Sequence, residues 1–146
     1  MKKVPQILRS KPDPTVHAIV PTASMFDALK LMAEKNIGAL LIMEGETIVG
    51  MVSERDYARK VLLMGRSSKE TPVSDVMTYP VMYVGPQRST EECMALMTEK
   101  RLRHLPVLDD GKLIGLISIG DLVKDIISEQ NFAIEQLQRY ISGQRG

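Results

Sequence analysis

The chain carries one short pattern twice, as Gly50-Met51-Val52-Ser53-Glu54-Arg55-Asp56 and again as Gly115-Leu116-Ile117-Ser118-Ile119-Gly120-Asp121. Each copy reads as Gly, two apolar residues, Ser, two further residues and Asp. The copies lie 65 residues apart, and the same offset aligns 11 identical pairs out of 46 between residues 16–61 and residues 81–126. Two copies at one period indicate a single supersecondary unit used twice, so related sites are expected in pairs.

Hydrophobic patterning predicts the same order of elements in both copies: strand, helix, strand, strand, helix. In the first copy these are a strand at 17–20, a helix capped by Ser24 and reaching Lys35, strands at 39–43 and 48–52, and a helix from Ser53. In the second copy they are a strand at 81–84, a helix capped by Ser89 and reaching about Lys100, strands at 105–108 and 113–117, and a last helix. We therefore expect an α+β fold built from a duplicated β-α-β-β-α motif. The predicted bounds are 1–64 for the first repeat, 65–72 for a polar linker, 73–130 for the second repeat and 131–146 for a helical extension.

The last helix is predicted to run from Asp121 to about Ile141, which is further than the repeat requires. Its apolar residues fall toward one side of the helix: Leu122, Ile126, Ala133, Leu137 and Ile141. Such a stripe packs either on its own domain or on a second subunit. The excess length favours the second subunit.

Composition narrows the class of protein. The 146 residues are 44% hydrophobic, which is enough for a core, and 19 basic residues nearly balance 18 acidic ones, which argues against a nonspecific nucleic-acid binder. No apolar run approaches the roughly 20 residues of a membrane span, and no signal-peptide pattern occurs, so we expect a cytoplasmic protein without a membrane segment. The single Cys93 aligns with Ala28 on a core-facing helix position, which favours a buried, inert thiol over a redox-active one.

The repeated Gly-x-x-Ser-x-x-Asp pattern supports two interpretations. Serine at an N-cap with an acid three residues later is a capping box, and capping alone would explain both copies. The same geometry also suits a nucleotide, because a helix N-terminus attracts phosphate and a carboxylate accepts hydrogen bonds from a ribose diol. The residues alone leave both interpretations open.

The duplicated plan, the run Leu105-Pro106-Val107-Leu108-Asp109 and the paired Gly-x-x-Ser-x-x-Asp ends resemble a tandem pair of cystathionine-β-synthase (CBS) domains, over roughly residues 4–127. The resemblance is closest to small stand-alone CBS-pair proteins. It implies two inter-repeat clefts that bind adenine nucleotides or related adenosyl ligands. One cleft would contain Met51, Ser53, Asp56, Thr78, Met82, Leu102 and Arg103, and the other Leu116, Ser118, Asp121, His17, Ile37 and Gly38.

In this family resemblance, Asp56 and Asp121 would hold ribose hydroxyls, while Arg103, His104 and Arg55 would contact phosphate. The clefts should be unequal, because Gly38-Ala39 stands in the first copy where Arg103-His104 stands in the second. His104 could instead be a packing histidine, and Arg55 could belong to a solvated helix face.

No phosphate loop, dinucleotide fingerprint, metal-spaced His/Cys set or nucleophile elbow occurs, so an enzyme and a metal site are not expected. The resemblance to CBS pairs implies a regulatory module, typically a homodimer, that binds AMP, ADP, ATP, NAD(H) or S-adenosylmethionine and signals occupancy to a partner protein. An alternative is a ligand-independent dimerisation or docking scaffold for an enzyme or transporter. A nucleic-acid regulator using Arg55, Arg59, Lys60, Arg66 and Lys69 is a weaker alternative.

Overall fold

The computed structural model describes residues 2–143. In chain order its elements are α1 (Val4–Ser10), β1 (Ala18–Ile19), α2 (Met25–Lys35), β2 (Ala39–Glu44), β3 (Thr47–Ser53), α3 (Glu54–Tyr57), a π-helical turn (Ala58–Leu62), a 3-10 turn (Val73–Asp75), α4 (Thr90–Lys100), β4 (His104–Asp109), β5 (Lys112–Ser118) and α5 (Ile119–Ile141). The expected α+β class and the long last helix are confirmed.

The chain forms two compact units, and they do not follow the order of the repeats. The early unit is Thr15–Tyr83, and the late unit joins Met1–Pro14 to Val84–Gly146. The segment that opens the first repeat therefore packs with the strands of the second repeat, and the segment that opens the second repeat stays with the first. Of the bounds predicted along the sequence, residues 1 and 144–146 lie outside the described residues.

The early unit contains a three-stranded sheet in the order β1-β2-β3, with β1 parallel to β2 and β2 antiparallel to β3. The late unit contains the antiparallel pair β4-β5. The two hairpins share one register, since Ala39 lies opposite Ser53 and His104 lies opposite Ser118. Leu41, which stands where the second copy has Pro106, does not disturb this pairing.

Each unit has its own aliphatic core. The early core contains Met25, Ala28, Met32, Leu40, Ile42, Val52, Val61, Val73 and Val76. The late core contains Val4, Ile7, Val84, Cys93, Met97, Leu105, Val107, Ile117 and Leu122. The expected burial of Cys93 is confirmed, and burial raises the pKa of its thiol, as a structural cysteine requires.

Two details of the predicted elements are wrong. The strand predicted at 81–84 is reduced to one bridge, in which the Val84 N–H donates to the Pro106 carbonyl at 3.0 Å. The segment is bounded by Pro80 and Pro86, and proline has no N–H to extend the ladder. The strand predicted at 17–20 is shortened to Ala18–Ile19.

The apolar stripe predicted on the last helix is buried at its start and exposed to solvent at its end. Leu122 is fully buried in the late core, and Ile126 is half-buried. Leu137 and Ile141 are 63% and 77% exposed, so they do not pack on their own chain. The first two turns of α5 therefore pack on the late unit, and contact of the rest of the stripe with a second subunit stays a prediction.

The amino-terminal segment is fixed to the late unit by backbone and charge. The Thr90 N–H donates to the Lys2 carbonyl at 3.0 Å, and the Val4 N–H donates to the Arg88 carbonyl at 3.0 Å. The Lys2 ammonium lies 2.6 Å from the Asp125 carboxylate on α5, whose side chain is only 4% exposed. This carboxylate raises the pKa of Lys2. Helix α1 is thereby held close to the start of α5.

Candidate ligand-binding sites

Both repeated Ser-x-x-Asp patterns lie where a returning strand ends and a helix begins. At α3 the Ser53 Oγ accepts from the Asp56 N–H at 3.1 Å, and the Ser53 N–H donates to Asp56 Oδ2 at 2.9 Å. At α5 the Ser118 Oγ accepts from the Asp121 N–H at 3.1 Å, and the Ser118 N–H donates to Asp121 Oδ2 at 2.8 Å. The capping box is therefore present in both copies, and it holds each aspartate in a defined orientation.

In the early unit Asp56 has two further side-chain partners. Its Oδ1 accepts a hydrogen bond from Thr78 Oγ1 at 3.4 Å and lies 3.3 Å from Lys60 Nζ. Thr78 is placed there because it pairs with Met51 through two backbone hydrogen bonds of 3.0 and 2.8 Å. Gly38 joins the same site, since its carbonyl accepts from the N–H of Glu54 at 3.1 Å.

In the late unit the same arrangement recurs around Asp121 with a different cation. Lys11 Nζ lies 3.1 Å from Asp121 Oδ2 and donates to the Leu116 carbonyl at 2.7 Å. The Arg103 carbonyl accepts from the Ile119 N–H at 2.9 Å, as Gly38 does in the early unit. Lys11 was not among the residues predicted from the sequence.

His104 shares the surroundings of this late site. It lies opposite Ser118 in the β4-β5 ladder and is half-buried. Burial lowers the pKa of His104, the charges of Lys11 and Arg103 lower it further, and Asp121 acts in the opposite direction. His104 therefore lies within the electrostatic influence of Asp121, Lys11 and Arg103.

Comparison with known proteins bears on this pair of sites. A family model for the CBS domain matches residues 8–63 and again residues 73–128. The chain belongs to the CBS-domain family. Tandem CBS pairs are commonly regulatory modules rather than catalysts, and CBS domains typically bind adenosyl ligands.

The relatives of this CBS pair include short stand-alone proteins. The mitochondrial CBS domain-containing protein CBSX3 of Arabidopsis thaliana is 40% identical over 125 residues, a match that covers 82% of this chain but 61% of that protein. The CBS domain-containing protein YhcV of Bacillus subtilis is 32% identical over 116 residues, covering 80% of this chain and 82% of YhcV. A solved CBS-domain structure from Burkholderia ambifaria has 61% identity and a TM-score of 0.86, covering 88% of this chain and 96% of that one. Because one relative is mitochondrial, the cytoplasmic location stays a prediction.

The two copies carry different charged residues near their Ser-x-x-Asp patterns, and the inequality of the two clefts stays a prediction. The early site has Gly38 and Ala39 where the late site has Arg103 and His104. Arg55 in the early copy is replaced by Gly120 in the late copy. Each site aspartate has a lysine partner, but Lys60 comes from the following helical turn and Lys11 from the end of α1.

Sequence reasoning could have found one of these two lysines. Asp56 and Lys60 are four residues apart, which is the ion-pair spacing of a helix, whereas Lys11 lies 110 residues before Asp121 in the chain. Lys11 also aligns with Val76 in the repeat, so the duplication does not reveal it.

The remaining predicted residues fall on both units. In the early unit, Arg55 and Met82 are exposed, while His17, Ile37 and Met51 are half-buried. In the late unit, Arg103 is exposed, and Leu102 and Leu116 are half-buried. Their combination into two inter-repeat clefts stays a prediction.

Two negative findings apply to the part of the chain that the structure describes. Within residues 2–143, no group of three or more His, Cys, Asp and Glu side chains could hold a metal ion. Over the same residues, no helix is both long and apolar enough to span a bilayer.

Proposed function

We propose that this CBS pair is a sensor that binds an adenine-containing ligand, such as AMP, ADP, ATP or NAD(H), and signals its occupancy to a partner protein. One observation carries the proposal. Each copy holds an aspartate in place with a capping box and sets a lysine beside its carboxylate. A carboxylate beside a cation offers an acceptor for a ribose diol and a charge for the attached phosphate.

The late site has the stronger case for a phosphorylated ligand. Lys11 lies 3.1 Å from Asp121, and the charges of Lys11, Arg103 and Asp121 all act on His104. Helix α5 is 23 residues long, so its N-terminus carries the positive end of a helix dipole. The early site offers Lys60 and Arg55 and begins a shorter helix, four α-helical residues followed by a five-residue π-helical turn. We therefore propose unequal sites, with the tighter binding of phosphate in the late unit.

Lys11 also provides a route for the signal. In the structure it pairs with Asp121 while α1 packs on the late core. A phosphate near Asp121 competes for the Lys11 ammonium and changes how α1 is held. A ligand can shift such an equilibrium only by its differential affinity for the two arrangements, and this exchange of partners for one lysine supplies that difference.

Thermal unfolding with a ligand panel tests the proposal. The panel contains adenosine, AMP, ADP, ATP, NAD, NADH and S-adenosylmethionine, and the variants are Asp56→Ala and Asp121→Ala. A ligand at about 100 times its Kd should stabilise the wild-type chain by about 2.7 kcal/mol. We expect each aspartate variant to lose the part of this stabilisation that its own site provides.

The matched control removes a capping acid that belongs to no predicted site. Glu92 completes the same capping box with Ser89 at the start of α4. Glu92→Ala should lower the stability of the free protein as the aspartate variants do, yet keep the full ligand response. No response to any ligand from a cooperatively unfolding wild type would contradict the proposal and favour the docking scaffold.

Lys11 has its own expected outcome. Lys11→Met should weaken the binding of AMP about tenfold or more, since a hydrogen bond to a charged group contributes about 1.5–3 kcal/mol. Adenosine, which lacks phosphate, should bind with unchanged affinity in isothermal titration calorimetry. An equal loss for both ligands would show that Lys11 only supports the fold of the late site.

A further inference from the structure

The second half of α5 has no packing partner within residues 2–143. Beyond Ile126 every described residue of the helix is exposed, including Ile127 at 51% and Ile134 at 54%. An isolated helical segment of about 15 residues is only marginally stable in water. A segment this apolar therefore needs a surface to cover it.

Five exposed apolar residues of α5, together with one glutamine, follow a heptad repeat, while the exposed Ile119, Phe132 and Tyr140 lie outside it. Residues Val123, Ile127, Gln130, Ile134, Leu137 and Ile141 succeed one another in steps of 4, 3, 4, 3 and 4. With the three isoleucines at position a, Val123, Gln130 and Leu137 occupy position d. We call these six residues the α5 seam. A heptad of this kind is the pattern by which one helix packs along another.

We propose that the α5 seam packs against the α5 seam of a second copy of this chain, as a parallel two-stranded coiled coil. A β-branched residue at position a with leucine at position d favours two parallel strands. All three a positions of the seam are isoleucine, and Leu137 is the one leucine at d. In a parallel pair each residue meets its own equivalent, so Gln130 meets Gln130 of the other copy and the two amides can hydrogen-bond. An antiparallel pair would instead place Gln130 near Ile134, where its amide has an apolar neighbour.

The charges beside the seam agree with a second copy as the partner. The flanking e and g positions are Lys124, Ile126, Asn131, Ala133, Gln138 and Tyr140. Lys124 is the one charged residue among them, so two identical helices meet with little repulsion. The acidic residues Glu129 and Glu135 lie on the outer positions. A different partner helix would have to be selected by charges at the e and g positions, and α5 has only Lys124 there.

Analytical ultracentrifugation of the full chain tests the pairing with two matched variants. Ile134→Glu places like charges in the centre of the seam, and Phe132→Glu makes the same change at an outer position that is 62% exposed. We expect the wild type and Phe132→Glu to be dimers. Ile134→Glu should raise the dimer Kd by about 100-fold or more.

A cysteine at the polar layer tests the orientation. Gln130→Cys should form an intermolecular disulfide under mild oxidation, and Phe132→Cys should not, while Cys93 is buried in the late core. Circular dichroism confirms that each variant is folded. A monomeric wild type, an equal effect of the two glutamates, or crosslinking through Phe132→Cys in place of Gln130→Cys would overturn the proposal.

Discussion

The close approach of α1 to β5 makes Gly115 a sensitive position. A Cβ added there would lie 2.5 Å and 2.8 Å from the two δ-methyl carbons of Leu8. The equivalent Gly50 is crowded by Met77, whose Cγ would lie 2.9 Å from an added Cβ. Carbon atoms prefer separations of about 3.5–4.0 Å, so the neighbour must retreat by about 1 Å in each case. Overpacking of this size costs roughly 1–3 kcal/mol, and we expect that loss from Gly115→Ala and from Gly50→Ala.

Pairs of substitutions show which segment packs on which repeat. Leu8→Ala makes room for the methyl group of Gly115→Ala. The loss in free energy of unfolding of the double variant should therefore be smaller than the sum of the two single losses, by about 1 kcal/mol or more. Met77→Ala should relieve Gly50→Ala in the same way. The crossed pairs, Leu8 with Gly50 and Met77 with Gly115, should be additive to within about 0.5 kcal/mol.

The assay is urea unfolding followed by circular dichroism, with the m value compared across all variants. A constant m value and coincident transitions from a second probe are needed because two compact units can unfold separately. Coupling of Leu8 with Gly50 rather than with Gly115 would refute the reasoning. It would mean that α1 packs on its own repeat, and the late unit as described would be wrong.

Two further predictions concern single residues. Arg101 ends α4 in the left-handed conformation at φ 56°, so Arg101→Gly should raise the free energy of unfolding by about 0.5–1 kcal/mol. Asn36→Gly, at the same position after α2, should change it little because asparagine tolerates this conformation, and equal effects in urea unfolding would contradict the explanation. For His104, burial lowers the pKa, so the unfolded chain binds the proton first as the pH falls below the ordinary value of 6.5. Between that value and the pKa of the folded state, the free energy of unfolding should fall by at most about 1.4 kcal/mol for each unit of pH. His104→Gln should remove this pH-dependent loss. If the variant loses stability with pH as steeply as the wild type, another group causes the loss.

Local signals in the sequence predict most of the elements. Ser24, Ser53, Ser89 and Ser118 each begin a helix as N-caps, because a serine hydroxyl accepts a backbone N–H within the same turn. The end of α5 at Ile141 and both hairpins could also be predicted from neighbouring residues in the sequence. The interactions that decide them lie within a few residues of one another.

The repeat could not predict which of the two sheets each opening segment packs against. The 65-residue offset makes the two sheets look alike to each opening segment, so periodicity does not say which sheet α1 joins. The structure decides it through contacts far apart in sequence, such as Leu8 at Gly115 and Lys2 at Asp125. Lys11 reaches the late site as a consequence of that choice, which is why the duplication did not reveal it.

The lysines of the two CBS sites consequently differ in what holds them in position. Lys60 lies one helical turn after Asp56, so its position depends little on the rest of the chain. Lys11 depends on the docking of α1, and Asp121 lies in the first turn of the helix that ends in the α5 seam. A ligand that changes the Lys11–Asp121 pair therefore acts at the start of the element that we propose joins two copies. If occupancy alters dimer affinity by some factor, dimerisation must alter ligand affinity by the same factor, so the two proposals are linked by a single coupling free energy.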